Sequence, residues 1–433
     1  MLKKISFLII ISAVAFLLIS CKSAIKEPAV NEDDSGFKLL ISANMDYEYV
    51  SAFSEGLAAV YKDEKWGYID KTGKLAIPAE TFDYAQPFQE GVAIVAVIIS
   101  SQDEGSIPYY GLIGKNGKPL AMLDYTSLDG FKEGLAPVCF ENKWGYLNRD
   151  SQLTISCEYD EAFDFSGGLA LVFLDGMYGF IDQAGQLAIP FIYSYAQSFA
   201  EELALVSKGD KWGFIDKNGK TVIPFEYDYA SNFSDGLAAV GKGAYPDLKI
   251  GFIDKTGQTI IPFSYVNVSD FSNGVAHVVM DEGQERCYID KSGQVIARDK
   301  DFIEIRKFSE GLAAVHKDGK WGFIDTSGKL AIANEYEWIN EKGFIDGLAV
   351  VKKDSKWGFI DKSGQVAIAI EYDVMYEFVE GFAVAVKDRK FGLLDQNGSE
   401  IVPFAYDFIG HIGDGAAFVK TGDKWGIAEL PRF

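Results

Sequence analysis

The feature that most constrains this chain is a dipeptide that keeps returning. An aromatic residue followed by glycine stands at Trp66-Gly67, Tyr110-Gly111, Trp144-Gly145, Tyr178-Gly179, Trp212-Gly213, Trp321-Gly322, Trp357-Gly358, Phe391-Gly392 and Trp425-Gly426. Two degenerate members, Ile250-Gly251 and Arg286-Cys287, fall where the spacing expects them. The steps run 44, 34, 34, 34, 38, 36, 35, 36, 34 and 34 residues, which gives eleven units. A period of this size marks a solenoid, a propeller or another array whose units pack only on their neighbours. Such an array escapes the ~250–300-residue ceiling on a single hydrophobic core, so 433 residues need not divide into separate domains. A hydrophobic content of 48%, with 14% aromatic residues, excludes bulk disorder.

Each unit is written in strand signals. "GLAAV" at 236–240 is a short apolar run bounded by turn residues and predicts strand one. "KWGFID" at 211–216 predicts strand two, "KNG" a turn, and "KTVIP" at 220–224 strand three. Aspartate at the turn entrance can bond its own backbone, and glycine adopts positive φ cheaply. Those roles fit the columns Asp70, Asp182, Asp216, Asp254, Asp290, Asp325, Asp361 and Asp395, with Gly73, Gly185, Gly219, Gly257, Gly293, Gly328, Gly364 and Gly398. Pro78, Pro190, Pro224, Pro262 and Pro403 lack an N–H and are expected to end the pairing of strand three. "EYDYA" at 226–230 is a candidate short fourth strand.

Alternation gives the aromatic residues a role. Along "WGFID", Trp212 and Phe214 point to one face and Gly213 and Ile215 to the other, so both faces are apolar, as in a sheet sandwiched between copies of itself. Trp66, Trp144, Trp212, Trp321, Trp357 and Trp425 are therefore read as structural repeat aromatics, with Gly213 letting a neighbouring unit's ring approach the backbone. The sharper alternative is a row of exposed rings stacking on sugars.

The pattern K-W-G-[FY]-I-D-x-x-G-[KQ]-x-x-I-P, followed by "EYDYA" and F-x-[ED]-G-L-A-x-V, resembles the WG-repeat family of bacterial β proteins across residues 41–428. The resemblance implies an extended all-β repeat fold, frequently on exported or lipid-anchored proteins, with no activity or substrate common to the family. Arg286, Cys287, Ile250 and Glu202 depart from the pattern and mark units whose packing must adjust. The fold expected is all-β, about eleven tandem β-hairpin repeats of three to four strands in an open twisted solenoid, with a propeller-like ring as the alternative. The ring is invited by the two ends. The body at 37–433 opens at the equivalent of strand three and stops after strand two, so its ends together spell one complete unit.

Residues 1–21, "MLKKISFLIIISAVAFLLISC", have the layout of a secretory signal: two lysines, an apolar run and a cysteine. Leu18-Ile19-Ser20-Cys21 resembles the lipobox of bacterial lipoproteins, which implies signal removal and a lipid-bearing Cys21. A spanning anchor is the competing reading, and the run is at the short end for it. Residues 22–36 are polar, carry Pro28, Glu32, Asp33 and Asp34, and read as a flexible tether. The expected location is the cell envelope, lipid-anchored and leaning to the outer membrane. Losing Lys3 and Lys4 takes the net charge from −22 to −24, which repels nucleic acid and anionic surfaces.

A search for chemistry returns little. His277, His316 and His411 lie far apart, in different repeat columns. Cys139, Cys157 and Cys287 show no CxxC spacing for zinc; a Cys139–Cys157 disulfide is conceivable in an exported protein. Glu55, Glu90, Glu133, Asp235, Glu310, Asp346, Glu380 and Asp414 recur before glycine, but calcium needs six or more converging oxygens, and turn chemistry explains them more simply. No phosphate-cradling loop or nucleophile elbow appears. The expectation is a non-enzymatic protein without cofactor. Its array serves as a scaffold for an envelope protein or polysaccharide; the alternatives are a passive structural protein, or a hydrolase with its site assembled across repeats.

Overall fold

A computed structural model describes residues 31–32, 38–101, 105–122, 125, 127–128, 130–280 and 285–431. Cys21 and the proposed signal lie outside them. Of the proposed tether only Asn31–Glu32 are described, paired with Leu39 and Lys38.

The chain folds into an all-β array of about eleven hairpin units, each a small antiparallel sheet. The fifth unit illustrates the plan: strand A is Tyr195–Ala196, B is Ala204–Lys208, C is Lys211–Ile215 and D is Thr221–Tyr227, hydrogen-bonded in that order. The short strand expected at "EYDYA" opens the next unit and does not close its own. The tyrosine and alanine of "EYDYA" pair with the B strand that follows, Tyr229 with Gly241 and Ala230 with Val240. The segment is therefore the end of one sheet and the start of the next, with Asp228 as the only residue between them.

Proline does not end strand D. Trp212 pairs with Tyr227 and Phe214 with Ile223, so four residues of strand D oppose two of strand C, and Pro224 sits in the resulting bulge where no N–H is required. The glycine after tryptophan accommodates this bulge. A Cβ on Gly213 would stand 2.8 Å from the Ile223 carbonyl and 3.1 Å from the Phe225 ring. Glycine thus makes room for its own unit's strand D and not for a neighbouring unit's ring, because the excess backbone of the bulge folds back over strand C.

Sheets pack face to face. Phe214 joins Phe233, Ala238, Val240 and Ile253 of the following unit, while Ile215 joins Leu171, Phe180 and Ile189 of the preceding one. Each sheet is thus apolar on both sides, and burial of both faces is the main driving force of the array. Units six and seven share a seven-stranded sheet, because Thr259–Val268 runs on as the D strand of one and the pairing partner of Val275–Met280. Each described sheet is open, and the units succeed one another in tandem.

The ends of the succession are joined. Strand Lys38–Met45 pairs with Lys424–Glu429, Leu39 opposite Ala428, Ile41 opposite Ile427 and Met45 opposite Trp425. It supplies the D strand that the last unit lacks, which is the pairing a ring requires. The completed sheet packs on the first unit through a core of Ile41, Phe418, Trp425 and Ile427 against Val50, Phe53, Val60 and Ile69.

Candidate interaction surface

The joints between units come first, because they decide which side chains are left for other work. In eight of the eleven units the residue two after the tryptophan or its equivalent is an aromatic ring that meets the phenylalanine opening the F-x-[ED]-G turn of the next unit; Leu112, Leu393 and Ile427 are the exceptions. Tyr68–Phe88, Phe180–Phe199, Phe214–Phe233, Phe252–Phe271, Phe323–Phe344 and Phe359–Phe378 have centroids 4.9, 5.0, 4.8, 4.8, 4.8 and 4.7 Å apart. Where the inner ring is tyrosine its hydroxyl also finds a partner. Tyr68 donates to the Gln86 carbonyl and Tyr146 to that of Phe163, each at 2.6 Å, and burial pushes both hydroxyls far above the usual phenol range.

The acidic column is the second half of the joint. Glu55 and Gly56 both have positive φ, 53° and 87°, and Ser54 and Leu57 exchange both backbone hydrogen bonds, which makes a two-residue hairpin loop. Glutamate is disfavoured in that conformation, and its carboxylate offsets the cost by reaching the next unit. Gly91 N–H donates to Glu55 at 2.9 Å, and Lys115 pairs with it at 2.9 Å. Lys115 first, then the Gly91 N–H, hold the Glu55 carboxyl below its ordinary range. Glu133 with Gly167, Asp235 with Gly274, and Glu310 with Gly347 and Lys362 repeat the clamp. The sequence signalled the turn and not the clamp, because the partner lies a whole period away.

A second carboxylate column straddles the same joints. Lys211 of the KWG motif binds Asp228 at 2.6 Å, and the other oxygen of Asp228 accepts the Gly243 N–H at 2.9 Å. Lys143–Asp160, Lys356–Asp373 and Lys390–Asp407 match it at 2.5–2.6 Å, and in each the lysine holds the aspartate below the ordinary carboxylate range.

Trp66, Trp144, Trp212 and Trp357 are half-buried, whereas Trp321 and Trp425 are buried. The rings lie in cross-strand rows. Tyr195, Ser207, Trp212 and Tyr227 are successive register partners, and since Ser207 is small the Tyr195 ring reaches over it to Trp212, edge-on at 5.2 Å. Trp338 does the same to Trp357 at 4.9 Å. Trp321 lies between the His316 ring, stacked at 4.9 Å, and the Arg306 guanidinium at 4.0 Å. Trp144 is the register partner of Cys139.

The exposed ends of these rows are aromatic residues on strand A: Tyr49, Tyr84, Tyr195 and Phe408, 44%, 42%, 39% and 43% exposed. Three of the four stand in consecutive units across the joined ends. Phe408 touches Trp425 at 6.0 Å, Tyr49 touches Trp66 at 5.6 Å, and Tyr84 touches Tyr110 at 6.4 Å. His411 links the first two rows, its Nε2 3.0 Å from the Tyr49 hydroxyl. An aromatic strip therefore runs over units eleven, one and two, and it exists only because the ends meet. Exposed rings with polar tips are suited to contact with proteins or sugars.

Nothing else converges. Among the described residues no three His, Cys, Asp or Glu side chains form a metal-binding group. His277 lies beside Asp299 and Tyr288, His316 on Trp321 in the next unit, and His411 beside Tyr49. Cys139, Cys157 and Cys287 are thiols, not disulfide-bonded, and desolvation pushes Cys157 and Cys287 away from the thiolate. No described helix is long and apolar enough to cross a membrane.

Repeated four-stranded sheets stacked in tandem define the class of all-β repeat-array proteins. The particular member follows from the repeat: the model of the WG containing repeat matches residues 41–66, 66–97, 110–144, 144–178, 178–212, 212–244, 250–282, 288–321, 321–357, 357–391 and 391–425, and the chain belongs to that family. No curated protein matches it. Among solved structures, a eukaryotic initiation factor is similar at 11% identity and a TM-score of 0.42, over 80% of this chain and 100% of that one. Hsv2 of Kluyveromyces lactis is similar at 10% identity and a TM-score of 0.30, over 70% and 98%. A tricorn protease is similar at 13% identity and a TM-score of 0.24, over 90% and 52%. Likenesses this distant carry no functional argument.

Proposed function

We propose that this is a non-enzymatic, lipid-anchored protein of the cell envelope whose repeat array is an interaction scaffold for an envelope protein or polysaccharide. A repeat-array β protein fits such a role, since stacked units present an extended surface. The observation that carries the reading is the aromatic strip of Phe408, Tyr49 and Tyr84, apolar area that the joints between units leave uncovered. The lipid attachment rests on Leu18-Ile19-Ser20-Cys21 and the outer membrane is the expected site; the net charge of −22 disfavours nucleic acid.

The test is cross-linked capture from native envelope with the intact protein and with a Tyr49→Ala/Tyr84→Ala variant, alongside a glycan array. A protein or glycan bound by the first and lost by the second supports the scaffold. Equal binding by both refutes the strip as its contact surface, and no binding by the intact protein leaves a passive structural role.

A further inference from the structure

One strand of the array is held differently from all its counterparts. In the regular units strand D is tied to strand C by a tight Asp-x-x-Gly turn. Asp216 Oδ1 accepts the N–H groups of Asn218 and Lys220, and the Gly219 N–H donates to the Asp216 carbonyl, all at 2.9 Å. Strand Lys38–Met45 has no such turn, because its C-strand partner Lys424–Glu429 lies at the other end of the chain.

It also buries fewer residues fully, with Leu39, Leu40 and Met45 partly buried against the neighbouring cores. Regular D strands bury two residues, Ile189 and Tyr193, Ile223 and Tyr227, or Ile332 and Tyr336. In Lys38–Met45 the isoleucine column is kept as Ile41, 4% exposed, and it packs over Gly73 of the first unit as Ile189 packs over Gly219. The tyrosine column is replaced by the half-exposed Met45 opposite Trp425. The flanking ion pairs, Lys38–Glu429 at 2.6 Å and Asp46 with Lys424 at 3.0 Å and Lys62 at 3.6 Å, are exposed and contribute little.

The seat under the strand stands without it. Asp414 accepts the Gly56 N–H at 2.7 Å and pairs with Lys71 at 3.2 Å, and Phe53 stacks on Phe418 at 4.9 Å. None of these contacts involves residues 38–45. Withdrawing the strand would leave units one and eleven in contact and uncover one row of backbone donors and acceptors along Lys424–Glu429, a ready template for an extended segment.

We propose that Lys38–Met45 is a detachable latch, the one strand that leaves its sheet without unfolding a unit, and that the edge of Lys424–Glu429 is an acceptor site for an extended segment of the same pattern, with a buried isoleucine at its fourth position. The proposal is independent of the scaffold reading.

The test uses the full chain in detergent. Hydrogen exchange by mass spectrometry should show amides of 38–45 exchanging at least tenfold faster than those of the equivalent strand Leu187–Tyr193. A labelled synthetic peptide of residues 37–46 should incorporate saturably, displacing the resident strand. Ile41→Asp should raise that incorporation at least tenfold while circular dichroism keeps the main unfolding transition. Equal protection of the two strands overturns the proposal, and so does failure of the peptide to bind the Ile41→Asp chain. If that substitution abolishes folding, the latch is not separable and the idea also fails.

Discussion

Two joints of the same array, the one between units five and six and the one between units eleven and one, perform the same task with different parts. At the first, Phe214 on strand C meets Phe233. At the second, the residue in the Phe214 column is Ile427, which brings no ring, and the ring comes instead from Phe418, its register partner on strand B, stacked on Phe53 at 4.9 Å. The clamp is retained: Gly236 N–H donates to Glu201 at 3.1 Å in one, Gly56 N–H to Asp414 at 2.7 Å in the other. This joint therefore keeps its ring at the same point in space although at a different point in the repeat. Cross-strand neighbours can exchange the duty because their side chains share a face.

Substitutions can break this equivalence in order of expected effect. Phe214→Ala and Phe418→Ala each remove a fully buried ring and should each cost about 3–5 kcal/mol. Urea unfolding that showed Phe418→Ala near neutral would deny the exchange of duty. Ile189→Ala should cost about 2–5 kcal/mol, against a smaller loss for Ile41→Ala, because Ile41 belongs to a strand that no turn ties to its partner; equal losses would make the two strands equivalent. Trp212→Ala should lower the unfolding midpoint, since the ring packs on Tyr195 and the core beside Phe214; unchanged stability together with lost glycan binding would transfer the tryptophans from packing to recognition. Asp414→Asn and Glu201→Gln keep the acceptor and lose the charge, so each should cost about 1 kcal/mol or less; a large loss at one joint alone would separate them.

The smallest effect is a dependence on pH. Lysine holds Asp160, Asp228, Asp373 and Asp407 below the ordinary carboxylate range. A carboxyl whose value is depressed on folding stabilises the fold above its unfolded value and loses that contribution as pH falls through the folded one. Thermal midpoints should hold down to pH ~4 and decline below it. The decline should weaken at high salt, because these aspartates are solvent-facing; a decline already present at neutral pH would point to other groups.

Much of this was legible in the residues. The period, the Asp and Gly of the C–D turn, and the complementarity of the two ends depend on local chemistry that each unit repeats, and strand pairing follows them. The bulge at Pro224 was misread because proline's missing N–H says that pairing is interrupted, not whether it resumes; Tyr227 opposite Trp212 shows that it does. The carboxylate clamp and the aromatic strip were invisible because their partners lie a whole period, or nearly the whole chain, apart. Phe418 alone left a trace, the one phenylalanine in a column otherwise filled by Ala59, Leu171, Leu205, Ala239, His277 and Val350 and their like, beside the one isoleucine, Ile427, where the other units carry an aromatic or leucine.

The pairing of Lys38–Met45 with Lys424–Glu429 also imposes an order in time. Ten units can complete themselves as their own 34–44 residues emerge, because their contacts are local and local contacts form quickly. The eleventh waits: its outer strand is made before every other part of the array and finds its partner only when strand Lys424–Glu429 has been added. Throughout synthesis, and through any passage across a membrane, that segment remains an unpaired edge, the state in which chains most readily aggregate. Its leading charge, Lys38, and its single fully buried residue, Ile41, keep it soluble during the wait, and no turn ties it to its partner once the wait is over.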